Sequence, residues 1–208
     1  PLSARSCMYS SRVPLYTLIE LRNDSNCSLN ASIGLLSSKI SLNGPIAKGK
    51  VSYFLAARRT YFEIFLKPTK KWKDYTLNFY DINAKLAAKP YKNGTVNLMF
   101  FKGRDNMVMK SDIMGMDWGN TAASLDFKHN FSQSISSSTS LVYSHYDYHE
   151  QVDMLSTENE AGAYTRHALA RENLTFAFTE RKKVCVGYQY DRIRLKSLEW
   201  QVSGYDQK

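Results

Sequence analysis

At 208 residues the chain is long enough for one large domain or two small ones, and none of its apolar runs approaches the roughly 18–20 residues of a transmembrane helix. Aromatic residues make up 13%, including 14 tyrosines, and amphipathic helical stretches are hard to find. The short apolar runs argue against a helical membrane protein without touching a membrane barrel, and the residue balance favours strands. The formal charge of +9 suggests an anionic partner in principle, but the cations (Lys48, Lys50, Lys67, Lys70, Lys71, Lys73, Lys89, Lys92, Arg181, Lys182, Lys183) sit at strand ends and turns. No RNP-like aromatic motif or zinc spacing goes with them, so no nucleic-acid partner is expected. Cys7, Cys27 and Cys185 are odd in number and without framework spacing, and are expected to be unpaired. The chain starts at Pro1 with no leader in view, and is expected to be a piece of a longer one.

In chain order, residues 1–27 read as largely irregular apart from the strand Leu15–Arg22, which Asn23-Asp24-Ser25-Asn26 ends. Apolar parity then slips between Ala31/Ile33/Leu35 and Ser38/Ile40/Leu42. A continuous strand does not change faces, so the slip predicts either a β-bulge or, as the favoured reading, a tight turn near Leu36-Ser37. Asn43-Gly44-Pro45 with Lys48-Gly49-Lys50 reads as the next turn. After it, Val51, Tyr53, Leu55 and Ala57 alternate with Ser52, Ala56, Arg58 and Thr60 in a long strand.

Residues 63–78 form a long connection holding Pro68. From Phe79 to Lys89, Tyr80, Ile82, Ala84, Leu86 and Ala88 oppose Asp81, Asn83, Lys85 and Lys89. Pro90–Gly94 is a hairpin turn of Asn-Gly type, and Thr95–Gly103 runs back. Arg104–Asp117 reads as a second long connection, Trp118–Asn130 as a strand, Phe131-Ser132-Gln133 as a turn and Ser134–His149 as a strand. Glu150–Ala168 reads as a third long connection, followed by a strand from Leu169 to Thr179, the turn Glu180–Lys183 and a strand to about Leu195. Short turns and long connections alternate, and strands of about 9–11 residues suit a tilted bilayer crossing. The fold class is therefore all-β: an antiparallel up-and-down meander of about nine strands forming a partial transmembrane β-barrel. Tyr61, Trp118, Tyr146, Tyr148 and Tyr190 are candidates for interfacial girdles. A soluble β-sandwich also alternates and is the competing fold.

Beyond periodicity, an ordered series of segments resembles TonB-dependent outer-membrane receptors, the Bacteroidetes type most closely. The series is Ala31–Ile46, Val51–Tyr61, Phe79–Lys85 (FYDINAK), Trp118–Ala122 (WGNTA) and Asn130–Tyr148. It covers roughly residues 9–150. Tyr9–Val13 resembles the closing segment of that family's plug, with Ser10 and Ser11 where glycines are usual. The resemblance implies that residues 1–27 are the C-terminal end of a plug domain and 28–208 the N-terminal part of a barrel. Asn43–Pro45 is then the first periplasmic turn. It further implies an importer of a bulky nutrient in a Gram-negative outer membrane, with outer-membrane lipid around it. A TonB-type energy-transducing protein would act through the absent N-terminal part, on an unidentified small-molecule or oligomer cargo. Two other readings stand beside it: a soluble β-rich module binding glycan or an anionic polymer, and a passive porin-type barrel.

No enzyme chemistry is expected. There is no G-x-S-x-G elbow, and Gly103, Gly115 and Gly119 are isolated, so no phosphate loop forms. His145 and His149, with Asp147, Glu150 and Asp153 nearby, are spaced too far apart along a strand to suggest a metal site; no metal or cofactor is expected. The inner-face polar residues Arg58, Asp81, Asn83, Lys85, Asn120, Ser124, Asp126 and Lys128 are the candidates for lumen contacts. In the strand after Gly49, Arg59 falls on the apolar parity and must lie near headgroups or snorkel.

Overall fold

The computed structural model describes residues 27–47, 49–66, 68, 75–109, 114–154, 157–179 and 182–202. The plug-end reading of residues 1–27, the strand Leu15–Arg22 and Cys7 lie almost wholly outside them, with only Cys27 described. Nine strands form one antiparallel sheet in sequence order: β1 (Ser28–Ile33), β2 (Ser37–Ala47), β3 (Val51–Thr60), β4 (Thr76–Tyr91), β5 (Gly94–Met109), β6 (Met114–Asn130), β7 (Ile135–Met154), β8 (Thr157–Ala177) and β9 (Lys183–Val202). A single helical turn, α1 (Glu63–Leu66), lies between β3 and β4. The fold is the expected all-β meander, open and barrel-like, with β1 and β9 at its edges. Among the described residues no helix is long and apolar enough to cross a membrane.

The parity slip is resolved as a turn. β1 and β2 fold back over Gly34–Leu36, with Ile33 opposite Ser38. Tyr61 locks this corner to β3: its hydroxyl donates to the Gly34 carbonyl and lies 3.1 Å from Ser38 Oγ, and its amide donates to the Leu36 carbonyl.

The turn assigned to Asn43-Gly44-Pro45 is not there. These residues belong to β2, with Gly44 opposite Tyr53 and Pro45 opposite Ser52, and the described turn residues before β3 are Gly49 and Lys50. β1 pairs β2 only as far as Asn43, so the missing N–H of Pro45 falls beyond the β1–β2 ladder, and the register shifts between Pro45 and Ala47. Gly44 serves close packing: a Cβ there would meet Cys27 Sγ at 2.7 Å. The reversal depends on Gly49, at φ 69°. Gly49→Ala is expected to cost about 1–2 kcal/mol, because a side chain in left-handed geometry meets its own carbonyl. Urea unfolding of the Gly49→Ala chain beside the unchanged one checks it; an unchanged midpoint would show that the turn relaxes.

Two expected long connections are mostly strand. β5 continues to Met109 and β6 starts at Met114; β7 continues to Met154 and β8 starts at Thr157. In the first (GRDNMVMKSDIMGMDW) the alternation inverts, Met107 and Met109 pairing with Met116 and Met114 on the face of Asp81 and Asn120 while Arg104, Asn106 and Asp117 take the apolar parity; the second (EQVDMLSTENEAGA) is mostly polar, and in both the ladder persists. The connection after β3 does hold, with α1 in it and β4 starting at Thr76. Strand length grows from 6 residues in β1 to 21 in β8, so the later strands form a tall ribbon at one end of the sheet. At the β4–β5 hairpin the two turn residues are Lys92 and Asn93, and Gly94 already pairs with Tyr91.

No second layer covers the sheet among the described residues. Among the described residues the buried apolar side chains are Ala87 and Ala161. A sandwich buries one face of each sheet against the other; here large apolar side chains stay open along the whole sheet.

Candidate functional site

Residues paired directly across an antiparallel ladder point to the same face, so the register sorts every strand into two faces. One is apolar. It carries Leu29 and Ala31 (β1), Ile40 and Leu42 (β2), Val51–Ala57 at odd positions (β3), Ile82, Ala84 and Leu86 (β4), and Val96, Leu98 and Phe100 (β5). It continues through Ala123, Leu125 and Phe127 (β6), Leu141 and Tyr143 (β7), Ala168, Ala170 and Leu174 (β8), and Val184, Val186, Tyr188 and Tyr190 (β9). Leu98 is 47% exposed, Leu141 45% and Val186 58%, so this apolar band stays open, with no described residue packed over it.

Between β3 and β9 the band drifts toward the short turns. In the row through Tyr53, Leu86, Leu98, Leu125, Leu141, Ala170 and Tyr190, Tyr53 has apolar neighbours on both sides along its strand. Tyr190 is the last apolar residue before Arg192. Strands tilted across a fixed slab produce such a drift.

Aromatic residues fringe the band. At the turn end Tyr91, Phe127, His129 and Phe131 cluster, with Tyr91 Oη 3.0 Å from His129 Nδ1 and the His129 and Phe131 rings 4.4 Å apart. At the other end lie Tyr80 and Tyr164. Trp118, Tyr146 and Tyr148, read from the sequence as girdle residues, point to the opposite face, paired with one another and with Asn120. Glu172 is a carboxylate within the band, and it accepts hydrogen bonds from Ser137 Oγ (2.6 Å) and Thr139 Oγ1.

All eight candidate lumen residues share the other, polar face. Arg58, Asp81 and Asn120 lie in one cross-strand row, with Gly103 between the last two. Arg58 and Asp81 form an ion pair, Nη2 to Oδ2 2.7 Å and Nε to Oδ2 2.7 Å, and Asn83 Nδ2 donates to Asp81 Oδ1 at 3.3 Å. Lys85 and Ser124 share a row across Met99. Asp126 accepts from Ser140 Oγ at 2.5 Å. Asn120 and Lys128 are exposed and stand apart from these pairs.

The polar face continues onto strands from which no candidate was drawn. Arg171 Nε donates to Gln189 Oε1 at 2.7 Å, Gln189 donates to Asp191, and Asp191 lies 2.8 Å from His167 Nε2. His167, Arg171, Asn173 and Thr175 share one parity in the sequence, broken by Leu169. Because Arg58 is 57% exposed, the Arg58→Ala change is expected to cost under about 1 kcal/mol. A double-mutant cycle with Asp81→Ala checks this; coupling above that level would mean the pair is shielded from water.

Above the band, on its own face, Arg104 joins three strands. Its Nε and Nη2 grip the Asp117 carboxylate of β6, with Nε to Oδ2 2.7 Å. Nη1 reaches Asp147 Oδ2 of β7 at 3.1 Å. Asp117 raises the Arg104 pKa above its already high value. Gly119 makes the reach possible: a Cβ there would sit 3.4 Å from Arg104 Nη1 and 3.2 Å from the Gly103 carbonyl. His145 and His149 flank the same Asp147, at 3.7 and 3.9 Å. The cation of this acidic cluster is thus Arg104, and no metal-holding group occurs among the described residues. On the polar side of this ribbon, burial and the adjoining Glu150 carboxylate push the Tyr148 hydroxyl up to about 12.

The described residues define an open antiparallel meander with one apolar and one polar face. No family model and no curated protein matches the chain. Among solved structures, it is similar to the crystal structure of the siderophore receptor PirA from Acinetobacter baumannii, at 11% identity and a TM-score of 0.35. The match covers 84% of this chain and 39% of that receptor, so the chain spans about two-fifths of its length. The likeness is distant and decides nothing about function.

Proposed function

We propose that this chain is part of a TonB-dependent outer-membrane receptor, residues 28–208 forming the first strands of its barrel and residues 1–27 the end of its plug. The observation that carries the membrane reading is the continuous apolar band on one face, exposed from β1 to β9 and fringed by aromatic residues at both ends. Water penalises such a band, whereas lipid accepts it provided every backbone group is paired. The two open sheet edges call for further strands to close the barrel. The sequence resemblance over residues 9–150 supports the receptor assignment.

In this reading the eight polar-face residues line the lumen, where Arg58, Asp81 and Asn83 meet the plug or water. Cargo moves past them with energy supplied by a TonB-type partner. Expression in a Gram-negative host tests the membrane step: the chain is expected in the outer-membrane fraction and to need detergent for release. Recovery as a soluble monomer would instead favour the soluble binding module. A plug domain encoded upstream in the same reading frame separates the receptor from a passive porin.

A further inference from the structure

Arg166 on β8 and Arg194 on β9 are directly opposite one another on the apolar-band face. Arg192, opposite Ala168, adds a third guanidinium one position nearer the band, next to Tyr190. Like charges directly opposite on a sheet repel. No carboxylate relieves them among the described residues. Asp147 is taken by Arg104, Glu172 by Ser137 and Thr139, and Asp191 lies on the other face with His167 and Gln189. All three arginines are exposed. Arg166 is held over the Tyr164 ring, 4.7 Å from its centroid. Beside them His145 is opposite Arg166, and Lys196 lies opposite Tyr164, where Glu199 pairs with it at 3.3 Å.

We infer that Arg166, Arg192 and Arg194 form an outward-facing site for the phosphate of a lipid headgroup. The inference rests on the membrane reading above. The cluster stands at the rim where the apolar band ends, so a lipid whose chains cover Tyr190 and Val186 places its headgroup against the three guanidinium groups. Guanidinium forks match phosphate oxygens in pairs, and an anion there cancels the Arg166–Arg194 repulsion. Charge complementarity and the continuity of the cluster with the apolar band together select a phosphate-bearing lipid.

The test reconstitutes the full chain in phosphatidylcholine nanodiscs and titrates fluorescent phosphatidic acid against fluorescent phosphatidylcholine. Preference for phosphatidic acid is expected, and Arg166→Ser/Arg192→Ser/Arg194→Ser weakens it on the order of a hundredfold, from three surface cations acting on one anionic headgroup. Lys39→Ser/Arg171→Ser/Lys183→Ser removes the same charge from the polar face and is expected to leave the preference intact. Equal affinity for the two lipids, an unaffected arginine variant, or equal loss in the polar-face variant overturns the site. Displacement by inorganic phosphate at the concentration effective for phosphatidic acid also overturns it, since that describes a free-anion site. Failure of the wild-type chain to enter the nanodisc defeats the membrane reading and the site together; entry without lipid preference defeats the site alone.

Discussion

Leu98→Arg is expected to destabilise the membrane-inserted sheet by about 2–4 kcal/mol, the cost of a cation on the lipid face near mid-depth. Leu98 sits in the row of Leu86, Leu125 and Leu141, flanked along its own strand by Val96 and Phe100. Its side chain is 47% exposed, so in water the change would remove no packed core and would move stability by less than about 0.5 kcal/mol. The two surroundings therefore predict results several-fold apart. Asn97→Arg, one residue away on the polar face, supplies the contrast: a shift within about 0.5 kcal/mol is expected. Urea titration of the two variants in vesicles decides it, and equal small shifts would place both faces in water.

The second large effect is expected at Arg104. Arg104→Met leaves Asp117 and Asp147 facing each other across Gly119 with no cation between them. Hydrogen bonds to a charged group contribute about 1.5–3 kcal/mol each. Partial exposure of all three side chains (35%, 26% and 19%) screens that value, and a net loss of about 1–2 kcal/mol is expected. The loss should be local. Hydrogen exchange should speed up in residues 105–109 and 114–118, where β5 and β6 rise above the band, and not in the band itself. Gly119→Val should produce the same pattern with Arg104 intact, because the new side chain occupies the path to Asp147. Faster exchange across all nine strands would mean that Arg104 supports the whole sheet.

Where one face is apolar, the sequence specified the structure closely. The alternation of Tyr80–Ala88 against Asp81–Lys89, and of Thr121–Phe127 against Asn120–Lys128, placed seven of the eight polar candidates on one face, and the alternation of Val51–Ala57 against Ser52–Thr60 placed Arg58 with them. The parity change between Leu35 and Ser38 located the first reversal. Arg59 lies in the row of Tyr80, Arg104 and Asp147, above the band rather than within it, as a charged side chain on that parity requires.

The failures have physical causes. Asn43-Gly44-Pro45 has turn chemistry, yet Gly44 is there to admit Cys27 and Pro45 is tolerated beyond the β1 pairing. In residues 104–117 the alternation changes phase, with Met107, Met109, Met114 and Met116 on the otherwise polar face, and the start of 150–168 is mostly polar; a backbone ladder, with Arg104 tying together the region 104–117, holds them. That clamp brings together residues 43 apart in sequence, a pairing set by register and invisible to periodicity. Trp118, Tyr146 and Tyr148 were misplaced because aromatic residues near strand ends occur on either face; only parity assigns them to the polar one.

The central claim is that alternate residues of one strand meet different media. Spin labels at single cysteines replacing Leu98, Leu125 and Leu141, and Asn97, Asp126 and Ser140, test it directly in a vesicle-reconstituted chain lacking Cys7, Cys27 and Cys185. Power saturation should show the first three labels open to oxygen and closed to a water-soluble nickel chelate, and the second three the reverse. Equal nickel access at both sets would contradict the lipid-facing assignment of the apolar band.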